Sequence, residues 1–191
     1  MKKVEHGKTF DRNAANPPAF EIFHNTVTEG YPEHWHTAIE IIMPTRGEYE
    51  VVVGKDSYNL KEGDIIMINS GVVHGMRFVS QGERIVMLVE PGCVENQEEM
   101  ETIFLRLPAI YFKKEDEEDP FYLFLRSQIL ELVREYDNEG AVMTHRICTG
   151  LKELFSEFGR KGFSDANAQN TFGAMKQQEY IEAVLSVCRY I

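Results

Sequence analysis

The chain has 191 residues, 43% of them hydrophobic, and a formal net charge of −11. The apolar share is enough for a packed core and excludes an intrinsically disordered chain, while the length suits one ordinary domain or a small domain with an extension. The acidic balance, without any cluster of Lys and Arg, excludes a duplex-binding surface, which must neutralise phosphates.

The amino terminus, Met1-Lys2-Lys3-Val4-Glu5-His6, carries two lysines with no apolar stretch behind them, so no secretory leader is expected. No apolar run reaches about eighteen residues, so no membrane-spanning helix is expected. Cys93, Cys148 and Cys188 are odd in number, far apart and outside any C-x-x-C pattern. They read as reduced thiols of a cytoplasmic protein.

Residues 19–90 favour strands. Val, Ile, Tyr and Phe are frequent, the runs are short, and turn residues separate them. The spacing predicts strands over 38–43 and 48–53, the second ended by the turn Gly54-Lys55-Asp56. A strand over 57–60 leads to the turn Lys61-Glu62-Gly63-Asp64, then to strands over 65–68, 76–79 and 85–89. Short strands at close spacing indicate a barrel or a sandwich.

Beyond Pro91-Gly92 the pattern turns helical. Residues 94–107 place Met100, Ile103, Phe104 and Leu107 at helical spacing. The run from Lys113 to Asp119 is strongly acidic and reads as a solvated loop before a helix start. Asp119-Pro120 supplies an N-cap and a first-turn proline, followed by the stripe Phe121, Leu125, Ile129, Leu132 and Tyr136. Asn138-Glu139-Gly140 ends that helix, and a second runs over 142–158 with Ile147, Leu151, Leu154, Phe155 and Phe158 on one side, up to Lys161-Gly162. The polar stretch 162–173 reads as a linker, and a last helix from Lys176 carries Ile181, Val184, Leu185 and Cys188. Two amphipathic helices joined by a tight turn form an antiparallel pair. The pair either covers one face of the barrel or makes a dimer interface. Phe121, Tyr122, Phe124, Leu125, Leu130 and Val133 wrap more than one face, which favours the interface.

Four residues are candidates for chemistry: His34, His36, Glu40 and His74. At even offsets on one strand, the first three would project to one side. Glu40 lies within the apolar run Ile39-Glu40-Ile41-Ile42, where a carboxylate needs a partner. A strand neighbour carrying His74 would complete the group. Three imidazoles and a carboxylate suit a divalent first-row metal such as Zn, Ni, Mn or Fe, with positions left for a ligand. A lone histidine on such a face would more often be structural. Trp35 alternates with the histidines and should face outward. Arg46 and Tyr49 are further candidates for ligand contact whose faces the sequence leaves open.

The stretch from Gly30 through His34-Trp35-His36 to Glu40, followed by Gly47, resembles the first cupin motif, and Gly63-Asp64-Ile65-Ile66-Met67-Ile68-Asn69 with His74 resembles the second. Asn69 stands where a proline is common, and Phe78 where an asparagine often closes the motif. The resemblance implies a double-stranded β-helix barrel with His34, His36, Glu40 and His74 as metal- and ligand-binding residues. The pattern is closest to the sensory domains of AraC-type transcription regulators, in which a barrel precedes dimerisation helices, a linker and a DNA-binding domain. Residues 180–191 resemble the helix that opens such a domain. The resemblance implies a cupin barrel over 1–92, a helical dimerisation region over 93–162, and a linker with the start of a DNA-binding domain over 163–191. It implies a non-enzymatic homodimer that senses a small metabolite, a sugar above all, and that reaches DNA only through a domain beyond this chain. The alternatives are a metal-dependent cupin oxygenase or isomerase using the same four residues, or a structural dimerisation module with an empty barrel.

Overall fold

The computed structural model describes residues 19–26, 30–90, 109–114, 118–138 and 140–161. The described elements in chain order are β1 (Phe20–Asn25), β2 (Tyr31–His34), β3 (Ile39–Arg46), β4 (Tyr49–Val53), β5 (Asp56–Leu60), β6 (Ile65–Ile68), β7 (His74–Phe78), β8 (Glu83–Val89), β9 (Ala109–Phe112), α1 (Pro120–Asp137) and α2 (Met143–Lys161). The predicted helix over 94–107, the linker over 162–173 and the helix from Lys176 lie outside the described residues, as do Cys93 and Cys188.

The strands form two antiparallel sheets, ordered β1-β8-β3-β6-β9 and β2-β7-β4-β5. Consecutive strands often change sheet, so β2 and β3 belong to different sheets although only a few residues separate them. The period-two alternation of a strand sorts the side chains into two cores. Ile42, Ile66 and Ile68 of the first sheet meet Tyr49, Val51, Val53, Leu60 and Met76 of the second, filling the space between the sheets. Ile39, Ile41, Met43, Ile65, Met67, Ile85, Met87 and Val89 face the other way, against the helices. β3 is therefore apolar on both faces, which explains a run too continuous to read as a half-buried strand.

The helices form for the reasons the sequence states. The Asp119 carboxylate accepts from the Phe121 N–H at 2.9 Å, and Pro120 occupies the first turn. The pair lies over the outer face of the five-stranded sheet, where Phe121, Tyr122, Leu125, Ile129, Leu132, Ile147, Leu151, Leu154 and Phe155 are buried. Of the residues predicted to form a second apolar strip, Phe121, Tyr122, Leu125 and Val133 are buried within the chain itself. Phe124 and Leu130 are half-buried against the same core. The wrapping of α1 thus largely serves the barrel, because one helix face meets the sheet and another meets α2. Tyr122 also donates its hydroxyl hydrogen to the Gly63 carbonyl oxygen at 2.8 Å, tying α1 to the β5–β6 turn.

Three observed strands lie outside the predicted set, β1, β2 and β9. Ala109–Phe112 pairs with β6 as β9, within a segment that otherwise read as helical. The run Ala-Ile-Tyr-Phe is too short for a stable helix, and its β-branched and aromatic residues fit the open edge of β6.

Candidate metal centre

The four candidate residues come together, by a route the strand period alone did not supply. His34 ends β2, and its register partner is His74, the first residue of β7. Glu40 lies on β3 in the opposite sheet, and His36 lies in the connection between β2 and β3. The centre therefore sits where the chain passes from one sheet to the other. The expectation of three side chains on one strand face is corrected: the bend after His34 turns His36 inward. His36, Glu40 and His74 are buried and His34 is half-buried, with ligand atoms of all four within 4.8 Å of one another. Trp35 is 39% exposed, facing away as expected.

Two contacts fix the connection. The Gly71 N–H donates to the His36 carbonyl at 2.8 Å, joining the His36 loop to the turn before His74. Gly71 has φ +73, a left-handed conformation that favours glycine. Thr37 donates to the Glu90 carboxylate at 3.0 Å, anchoring the other side of the loop to the end of β8.

The protonation pattern follows from the hydrogen bonds. The Nδ1 atoms of His34, His36 and His74 lie 2.9, 2.8 and 2.8 Å from the carbonyl oxygens of Pro32, Ala38 and Val72, respectively. A carbonyl only accepts, so each Nδ1 carries its hydrogen, and the Nε2 of a neutral ring is then a bare lone pair. Yet the Nε2 atoms of His36 and His74 lie 3.0 and 2.9 Å from the same oxygen of Glu40. Lone pairs converging on a carboxylate oxygen repel unless a cation lies among them. That cation is either a proton on each ring or a divalent metal ion. Burial acts to raise the Glu40 carboxyl, but the hydrogen bonds from His36 and His74 and their charge outweigh it and hold Glu40 well below the usual carboxylate range. Burial lowers His34, chiefly by desolvation, which keeps its ring neutral at a lower pH than a free imidazole. The Nδ1 anchors are the kind of outer contact that orients histidine ligands on a metal. His34, His36, Glu40 and His74 therefore form a group able to hold a divalent metal. Such an ion would act as a Lewis acid toward a carbonyl, hydroxyl or bound water.

The family model described as Cupin domain matches residues 25–90. That segment holds all four centre residues.

No curated protein matches the chain. Among solved structures, apo ToxT K231A from Vibrio cholerae is 11% identical with a TM-score of 0.51, covering 76% of this chain and 58% of that one. A conserved protein of unknown function from Streptococcus pyogenes is 18% identical with a TM-score of 0.35, covering 38% of this chain and 63% of that one. Oxalate decarboxylase from Bacillus subtilis, described with Mn(II) centres, is 17% identical with a TM-score of 0.33, covering 36% of this chain and 20% of that one. The chain thus spans less than two thirds of each of these structures. The ToxT likeness is one of fold, and its 76% share reaches beyond the barrel strands.

The structure also places the remaining candidates. Arg46 lies on the rim, largely exposed, and pairs with Glu83 at 3.2 Å, so it does not reach the interior. Tyr49 is buried inside the barrel. Two residues escaped the sequence reading. Asp64 accepts from the N–H groups of Lys61 and Lys114 and from the Tyr111 hydroxyl, at 2.7–2.9 Å, clamping the β5–β6 turn to β9. Arg84 is buried on β8 inside the barrel, a charged residue in a run of apolar ones. Its position between Glu83 and Ile85 was the available signal.

Proposed function

We propose that this chain is the ligand-sensing and dimerisation part of an AraC-type DNA-binding transcription regulator, with no catalytic role of its own. The barrel, placed by the sequence over 1–92, takes a small metabolite at His34, His36, Glu40 and His74, directly or through a divalent metal ion. The region 93–162 carries the dimer contacts, and 163–191 leads toward the DNA-binding part. The observation that carries this reading is the four-residue centre built into a barrel whose five-stranded sheet is covered on its outer face by α1 and α2. A ligand that changes the packing of β3 or β8 changes the surface on which the helices rest, which gives sensing a mechanical output. Such an output requires the effector to bind the two states of the protein with different affinity. Leu123, 51% exposed, with the half-buried Phe124 and Leu130, supplies the apolar contact on α1 left for a second copy. The resemblance to AraC-type sensors points to a sugar as the effector class.

A second reading rests on the completeness of the centre. Three imidazoles and one carboxylate leave positions for a substrate, which suits a metal-dependent cupin oxygenase or isomerase. Operator binding separates the two. The protein made from the full source reading frame, in a fluorescence anisotropy titration with its own promoter DNA, should bind as a dimer, while the chain Met1–Ile191 alone should not. A full-length product that ignores DNA, together with turnover of a small substrate by the metal-loaded chain, would favour the enzyme.

A further inference from the structure

Arg84 is 1% exposed, and its Nε and Nη1 atoms have no hydrogen-bond partner among the described residues. The register of β8 fixes its direction. Leu88 lies opposite Glu40 on β3, so Leu88, Val86 and Arg84 share the inner face with Glu40. Ile85, Met87 and Val89 point to the helices instead. The guanidinium lies over the Tyr49 ring, 4.7 Å from its centroid. That contact engages the face of the guanidinium and leaves the N–H groups of Nε and Nη1 unused among the described residues. The Tyr49 hydroxyl is itself buried and, beyond its approach to Arg84, has no hydrogen-bond partner among the described residues.

Two buried side chains with unpartnered polar atoms, stacked on each other in the interior, are costly to fold and need a reason. An unpaired buried charge is the costliest of them. Burial pulls the guanidinium pKa down, while Tyr49, Glu40 and Tyr31 act to keep it charged. The inner face is also reachable. Val86 and Leu88 on β8, and Glu21 and Phe23 opposite them on β1, are only half-buried. Glu21, the other carboxyl on this face, is level with Leu88, four register pairs away from Arg84, whose own partner on β1 is Asn25.

We propose that Arg84, with Tyr49, is an anion-receiving site, and that the effector is a small organic acid whose carboxylate the guanidinium fork holds. A planar fork of donors matches a carboxylate in shape and charge, and a desolvated pair of this kind is strong. A neutral sugar offers no group that compensates the Arg84 charge. The inference rests on the sensor reading and puts an organic acid in place of a sugar as its ligand class, but it does not require metal at the four-residue centre.

The test is thermal unfolding and calorimetric titration of the chain with acetate and benzoate, using benzamide as the uncharged control at constant ionic strength. The carboxylates should raise the Tm and benzamide should not. Arg84→Met should weaken carboxylate binding by about tenfold or more. Without added anion it should unfold at the same temperature as the wild type or higher, because an uncompensated charge has been removed. If Arg84 serves only to pack on Tyr49, Arg84→Met lowers the Tm and the wild type ignores carboxylates, which overturns the proposal. Should Arg84→Met fail to fold, Tyr49→Phe removes only a hydroxyl. A carboxylate response several-fold weaker in that variant supports the site, and an unchanged one overturns it. Divalent metal binding measured on the same samples keeps the two ideas apart. Metal binding without any carboxylate response ends this inference and leaves the centre and the sensor reading standing.

Discussion

At the scale of single residues, the decisive feature is where each imidazole keeps its hydrogen. Backbone carbonyls two residues away hold Nδ1–H in His34, His36 and His74, and so hand Nε2 to the centre. Replacing His36 or His74 by alanine should lower Ni(II) or Zn(II) affinity by a factor of about 100 or more, since loss of even an outer contact to a ligand costs on the order of 10- to 100-fold. Isothermal titration checks this, and unchanged affinity would mean that metal binds elsewhere. Wild-type affinity should also fall as the pH drops, because protons compete for imidazole lone pairs, with His34 holding out to lower pH than a free imidazole because burial lowers it. Asp64 is different in kind. Its carboxylate joins a turn, a strand and the Lys114 backbone, so Asp64→Ala should cost about 2–4 kcal/mol in urea unfolding while leaving metal affinity intact. The four centre residues were legible because imidazole and carboxylate are unusual among their apolar neighbours. Arg84 was not, because its meaning lies in which partners it lacks, and a sequence does not display that.

At the scale of elements, the sequence reading succeeded where local rules decide and failed where pairing decides. The start of α1 follows from Asp119-Pro120 alone, and Asp119→Ala should cost about 1 kcal/mol of stability, read from the shift in urea midpoint. The strands β3 to β6 fall close to their predicted places because turns flank them. β9 and its pairing with β6 depend on an open edge made by residues far away in the chain, which no local pattern reveals. The loop carrying His36 is similar. Its inward turn is set by the Gly71–His36 backbone bond and the Thr37–Glu90 contact, both long-range. The wrapped apolar surface of α1 was visible as well, but its destination was not: a helix that meets both a sheet and a second helix carries the same pattern as one that meets another protomer. Gly150 illustrates the closeness of that internal packing, since a Cβ there would lie 3.0 Å from the Leu132 side chain. Gly150→Leu should therefore separate α1 from α2 and lower the Tm without reducing metal affinity.

At the scale of the whole molecule, two cores share one sheet. The five-stranded sheet is lined on its inner face by Glu40 and Arg84 and on its outer face by residues that meet the helices. This arrangement connects a polar interior to a helical surface through a single layer of backbone, and it is what makes the sensor reading mechanical rather than only a matter of resemblance. Among the described residues, no helix is long and apolar enough to cross a membrane. His34, His36, Glu40 and His74 should act as one cation-binding centre, which X-ray absorption on the purified, Ni(II)- or Zn(II)-loaded chain measures. The expected result is a stoichiometric ion in a shell of imidazole nitrogens and carboxylate oxygen, at the ligand distances usual for these donors, lost in the His36→Ala/His74→Ala double variant. A shell without imidazole, or the same spectrum and stoichiometry in the double variant, would contradict it.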